Sequence, residues 1–248
     1  MYISSFIQRS TLATGVLTLI SVSTLSGSAE AVSIVNGGFE TNLDGWTIVE
    51  QANSNGGVFH TNGGISPISG NSILNPSEGA GYVVTDQAGP GSYAIFQDIS
   101  LESGMEHLLS FDWFAQSWSD PEFFDAGSLD RNIVPNQHFR VDVVSTDFTD
   151  WFAPDSSAGV LANIIPPLAE DAPVSDWNST TFDLSAWAGQ DVRLAFRQVD
   201  NRLFFNAGID NVNIESQKIP EPGTVVGLLA VGLGGTVLRR RQEKSNNS

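Results

Sequence analysis

Hydrophobic and polar positions alternate in short runs through the middle of the chain. Phe139, Val141 and Val143 share one face of residues 139–143. Val192, Leu194 and Phe196 point one way within residues 192–197, and Arg193 and Arg197 the other. Residues 210–214 repeat the style, with Val212 and Ile214 set between polar neighbours. A period of two over such lengths marks half-buried β-strands. Residues 81–85, 93–101, 107–114 and 180–184 have the same character, and no long 3.6-residue apolar pattern or internal repeat interrupts them. Many short strands with turn residues between them predict an all-β fold, a β-sandwich.

Two long connections separate the strands. Residues 117–137 carry Asp120, Glu122, Asp125 and Asp130, and residues 150–176 carry Pro154, Pro166, Pro167 and Pro173. Loops of this length are uncommon unless they bind something or move. Two floppy insertions are the competing reading.

The ends of the chain differ from its middle. Residues 1–31 read as a secretory signal peptide: Arg9, an apolar run at residues 11–20, then the small-x-small triplet Ala29-Glu30-Ala31 for a signal peptidase. An uncleaved N-terminal anchor is the alternative, although the apolar run falls well short of the ~20 residues that span a bilayer. At the other end, Pro220-Glu221-Pro222 precedes the apolar, glycine-rich residues 223–238 and then Arg239, Arg240 and Arg241. At ~1.5 Å per residue that run makes a helix of about 24 Å, slightly short of a ~30 Å hydrocarbon core. The arginines would stay on the cytoplasmic side, leaving the body outside the inner membrane.

The order Pro-Glu-Pro, short transmembrane helix, basic tail resembles the PEP-CTERM sorting signal of Gram-negative bacteria, here over residues 220–248. The same short segment also carries the label of an ice-binding-protein C-terminal domain, which says nothing about ice. The resemblance implies recognition by an exosortase, transient inner-membrane anchoring, removal of the tail, and release to the cell surface or an extracellular matrix. Such proteins accompany exopolysaccharide and biofilm. An ordinary C-terminal membrane anchor is the bland alternative. The body is then residues 32–219, one domain.

Composition narrows what that body can do. The 248 residues are 41% hydrophobic, enough for a packed core, and contain no Cys. Disulfides, thiolate metal sites and Cys nucleophiles are therefore excluded. Residues 32–219 hold 25 acidic residues against 6 basic ones. Nucleic acid is a poor partner for such a surface. The acidity is either a solvated surface or an attraction for divalent cations, Ca²⁺ above all outside a cell.

No catalytic residue stands out. His60, His107 and His138 lie in unrelated contexts without zinc-ligand spacing. There is no Gly-x-Ser-x-Gly elbow and no phosphate-cradling Gly-x-x-x-x-Gly-Lys loop. Paired carboxylates could serve a glycosidase, but with 25 acids in the body some pair lies close by chance.

Asn36-Gly37-Gly38-Phe39-Glu40 followed by Leu43-Asp44-Gly45-Trp46 is similar to the start of galactose-binding-like jelly rolls, including several carbohydrate-binding modules. Residues 96–99, 109–112, 187–196 and 208–212 fit the later strands of that pattern. The resemblance implies a jelly-roll sandwich whose two chain ends lie side by side with a structural Ca²⁺ between Glu40 and Asp210. The competing reading is that Asp210 caps a turn and Glu40 pairs with an arginine.

Sugar binding would need exposed rings beside carboxylates and amides. Trp118 lies just past a strand, with Asp120, Phe123 and Phe124 following in the acidic loop, so these are the candidate glycan-binding residues. Trp151 is the next. Trp46, Trp113, Trp177 and Trp187 read as packing residues. The function expected is non-catalytic binding to exopolysaccharide. A polysaccharide-degrading enzyme using loop carboxylates and a structural matrix protein without a ligand are the alternatives.

Overall fold

A computed structural model describes residues 32–152, 157–165, 168 and 176–219. The signal peptide expected over residues 1–31 and the Pro220–Glu221–Pro222 and Arg239–Arg241 elements lie outside the described residues.

The chain runs through β1 (Thr47–Glu50), β2 (Gly56–Thr61), β3 (Gly64–Ile65), β4 (Ser72–Ile73), β5 (Tyr82–Gln87), β6 (Gly91–Ser100), β7 (Met105–Ser117), β8 (Gln137–Val144), β9 (Val160–Ile165), β10 (Asn178–Asp183), β11 (Asp191–Asp200) and β12 (Phe205–Lys218). Two five-stranded antiparallel sheets result, β1-β6-β11-β8-β9 and β10-β7-β12-β5-β2, with a small β3-β4 pair beside them. The alternating residues do what their period requires. Val141, Val143, Leu194 and Phe196 from the first sheet meet Phe111, Trp113, Ala207 and Ile209 from the second in one core. The fold is the expected all-β jelly-roll sandwich.

Two expectations change. β9 forms inside what the sequence presents as a long connection, because Val160–Ile165 pairs along the free edge of β8. Arg197 does point out of the sandwich, but it does not reach water and is 1% exposed. The chain after β8 folds back over the outer face of the first sheet, where Phe148 and Trp151 pack with Ala94, Val144 and Ala195. β8 is consequently buried on both faces.

The Asn36–Trp46 segment is a turn locked by one side chain. Asn36, at φ 53°, donates from Nδ2 to the carbonyls of Asn42 and Asp44, and its Oδ1 accepts the Thr41 N–H. The Val212 N–H donates to the Gly37 carbonyl at 2.9 Å, which ties the first turn to the last strand. Gly37 is required there, since a Cβ would sit 1.8 Å from the Val212 carbonyl oxygen.

Candidate functional site

β7 and β12 end together at one pole of the sandwich. Beyond the Ser117–Phe205 pair the ladder continues for one step, with the Trp118 N–H donating to the Phe204 carbonyl at 3.1 Å. Trp118 and Phe204 are each 40% exposed and Leu203 is 56% exposed, an apolar rim where a turn is usually polar. The acidic loop that follows Trp118 is held by Gln137. Its Nε2 donates to Ser117 Oγ (2.7 Å), Ser119 Oγ (2.8 Å) and the Glu122 carbonyl (3.0 Å). Asp120, Glu122 and Asp125 face solvent around this anchored loop.

Next to the rim, a cavity of about 190 Å³ opens between the β5–β6 turn and the β11–β12 turn. Pro90, Leu203 and Phe204 form apolar walls, and Gln87 and Asp200 lie at its base. Asp200 is 2% exposed, and its carboxylate accepts the Arg202 N–H and the Gln87 Nε2–H. Burial pushes its carboxyl up to about 7, since the two hydrogen bonds only partly offset the lost hydration. A carboxyl perturbed in this way at the base of a cleft is characteristic of functional sites.

The structure separates the aromatic candidates. Trp118 is exposed, as is Asp120. Phe123 is fully buried, edge-on to Phe205 at 5.9 Å. Trp151 is also buried, stacked on Phe96 at 4.5 Å and edge-on to Phe148. Neither ring offers a face to a sugar. Both supply the apolar anchor a long loop needs in order to lie against the sandwich, which corrects their reading as ligand residues. Phe124 is half-buried, and its ring lies 5.1 Å beneath the Arg202 guanidinium. Gln87, Asp200, Leu203 and Phe204 had gone unnoticed as site residues. The apolar Leu203-Phe204 pair within the short turn that follows Asp200 was the available signal for two of them.

Glu40 and Asp210 do converge, on a common segment. Asp210 is fully buried, and its Oδ2 accepts the N–H of Ser77 (2.9 Å), the Ser77 hydroxyl (3.0 Å) and the N–H of Glu78 (3.1 Å). Its Oδ1 accepts the Asn211 N–H across the β12 bulge. Burial raises the Asp210 carboxyl, and these bonds oppose the rise. Glu40 Oε1 accepts the N–H groups of Ala80 (2.7 Å) and Gly81 (3.3 Å). The two carboxylates thus clamp residues 77–81 by accepting from their N–H groups and from the Ser77 hydroxyl. No group of three or more His, Cys, Asp or Glu among the described residues is arranged to hold a metal. Two carboxylates supply only part of the 6 to 8 oxygen ligands that Ca²⁺ takes, and backbone carbonyls would have to complete the shell.

A second buried polar cluster lies on the covered outer face of the first sheet. Arg197 donates from Nε and Nη2 to Asp142 Oδ2, and Arg140 Nε lies 3.4 Å from the same oxygen. His138 Nε2 sits 3.5 Å from Asp125 and 3.2 Å from the Ser128 carbonyl. Burial takes His138 down to about 4, although Asp125 and the Ser128 carbonyl favour its protonated form.

The PEP-CTERM protein-sorting motif matches residues 218–242. The chain carries an exosortase sorting signal. It is therefore a secreted protein processed by an exosortase. No curated protein matches the chain. Among solved structures, the carbohydrate-binding module TmCBM61 in complex with beta-1,4-galactotriose is similar at 12% identity and a TM-score of 0.45, over 73% of this chain and 96% of that one. The K3 cleaved adhesin domain of Lys-gingipain from Porphyromonas gingivalis is similar at 17% identity and a TM-score of 0.47, over 74% and 98%. A Stig cyclase from Fischerella sp. is similar at 16% identity and a TM-score of 0.42, over 77% and 100%. The likeness is of the sandwich and reaches no residue role.

Proposed function

We propose that this exported sandwich binds extracellular polysaccharide without turning it over, at the pole formed by Trp118, Leu203 and Phe204. The observation that carries the reading is the pairing of two exposed rings on adjoining strand ends with an open cavity and the carboxylates of Asp120 and Glu122. Exposed rings cover the apolar faces of sugars, and carboxylates and amides take the hydroxyls. Ca²⁺ between Glu40 and Asp210 is not needed for this function, because the segment they hold is already clamped.

Hydrolysis finds less support. The larger cavity, about 640 Å³ at Glu106, Asp183 and Glu215, offers carboxylates. Bonds from the Ser185 hydroxyl and N–H hold Asp183 below the usual carboxylate range, the wrong direction for a general acid.

The test is a glycan array followed by titration of the full chain. Trp118→Ala should weaken binding by roughly 1–3 kcal/mol, the worth of one large side chain, and leave the melting temperature almost unchanged. Normal binding by this variant would move the site away from the pole. Release of reducing ends from a bound polysaccharide would make the protein an enzyme.

A further inference from the structure

Behind the cavity, the interior of the sandwich is polar where a core is expected. Gln87, Tyr93, Gln137, Gln198 and Asp200 are each at most 2% exposed and point between the sheets. They form one group by register. Asp200 stands opposite Gln137 on β8 and Gly91 on β6, and Gln198, two residues away on the same face, stands opposite Tyr93. From the facing sheet, Gln87 reaches Asp200 with Nε2 at 2.5 Å. The Tyr93 hydroxyl comes to the same place. A Cβ on Gly91, opposite Asp200, would lie 1.9 Å from it, and one on Gly56, opposite Gln87, would lie 2.5 Å from it.

Most of the group's polar atoms lack partners. Gln87 Oε1, Gln137 Oε1, the Tyr93 hydroxyl and both amide atoms of Gln198 are buried and make no hydrogen bond among the described residues. Native interiors pair such atoms, so a concentration of them marks a place for a guest. Four of the five are oxygens. Gln87 and Gln137 have spent their N–H groups on Asp200 and on the Ser117–Glu122 loop, which leaves acceptors facing inward. The surrounding charge has the matching sign. Glu50, Asp86 and Asp200 act on Tyr93 against the single cation Arg131. Arg202, at the cavity mouth, lies over the Phe124 ring.

We propose that this chamber is a hard-cation site, with Asp200, the side-chain carbonyls of Gln87, Gln137 and Gln198, and the Tyr93 hydroxyl as its ligands. Carboxylate, amide and hydroxyl oxygens are the donors Ca²⁺ prefers, and waters entering through the cavity complete a shell of 6 to 8. One carboxylate among neutral ligands gives weak affinity, with a Kd on the order of 10⁻⁴–10⁻³ M, that of extracellular calcium modules. The cation would join the two sheets at the pole that carries Trp118 and Phe204.

The probe is CaCl₂, and the readout is thermal unfolding of the chelator-treated full chain at constant ionic strength. Ten-millimolar CaCl₂ should raise the wild-type Tm by roughly 3–10 °C, the mass-action gain expected at such a Kd. Asp200→Asn should remove the rise. Tyr93→Phe, which keeps the ring and its packing, should weaken the calcium response about tenfold and decides the matter if Asp200→Asn does not fold. Glu40→Gln should keep the rise. No calcium response in the wild type would mean that water alone fills the chamber and would overturn the proposal. A rise that survives Tyr93→Phe unchanged, or one that Glu40→Gln abolishes, would overturn it equally.

Discussion

The two buried polar clusters sit on opposite faces of the same two strands, β8 and β11. On the outer face, Asp142 stands between Arg197 and Arg140, and the chain after β8 closes over them, with the Trp151 carbonyl accepting from Arg197 Nη1. On the inner face, Gln137, Gln198 and Asp200 point into a chamber whose oxygens outnumber their donors. Both places are equally buried. The outer one has Arg197 paired with Asp142 and is covered by the chain after β8, with His138 Nδ1 left without a hydrogen-bond partner among the described residues, so it behaves as scaffold. The inner one is incompletely paired and opens to a cavity, so it behaves as a site. Burial of polar groups therefore does not separate structure from function; the pairing of the central charge and the access from a cavity distinguish the two places.

Breaking the outer cluster should have the largest effect. Asp142→Ala leaves Arg197 buried without its carboxylate, and such a loss costs about 3–5 kcal/mol. Urea denaturation would show it as a lowered midpoint. A change under about 1 kcal/mol would mean that water or another acceptor already shares the load, and the contrast between the clusters would fail.

A pH titration tests the same face more gently. His138 is buried neutral, with its pKa lowered from 6.5 to about 4. Below pH 6.5 the unfolded chain takes a proton that the folded one refuses, so this contribution to stability is whole above 6.5 and drains away as pH falls toward 4. His138→Leu should flatten that part of the urea midpoint–pH curve. An unchanged curve would place the acid sensitivity in other groups.

The smallest effect is expected on the inner face. Gln198→Met removes two unpartnered amide atoms at similar volume. Without added cation the stability should change by less than about 1 kcal/mol, or rise, because no hydrogen bond within the protein is lost. A large loss would show that Gln198 is paired after all and that the chamber is scaffold too.

Much of this protein was legible in its residues. The alternation in β8, β11 and β12 gave the sandwich, since a half-buried strand has no other use for a period of two. The Asn36–Trp46 segment could be identified by its resemblance to the start of jelly-roll sandwiches, and Asn36, Gly37 and Trp46 each meet a local need in it. The sorting signal could be identified because it works as a linear address. The exposed Trp118 was within reach, lying just past a strand in an acidic loop. Phe123 and Trp151 looked the same on paper. Whether a loop aromatic faces water depends on what the loop folds onto, and Phe205 and Phe96 lie 82 and 55 positions away in sequence.

The sequence by itself determined most of the long strands and the sorting signal, because these rest on neighbours a few residues apart. Tertiary structure alone decided the covered outer face, the pairing of Arg197 with Asp142, and the meeting of Gln87, Tyr93, Gln137, Gln198 and Asp200. Those five residues come from four strands, and only the register between strands puts them in one place. Whether a buried polar atom finds a partner is a property of that register and is written in no single segment of the chain.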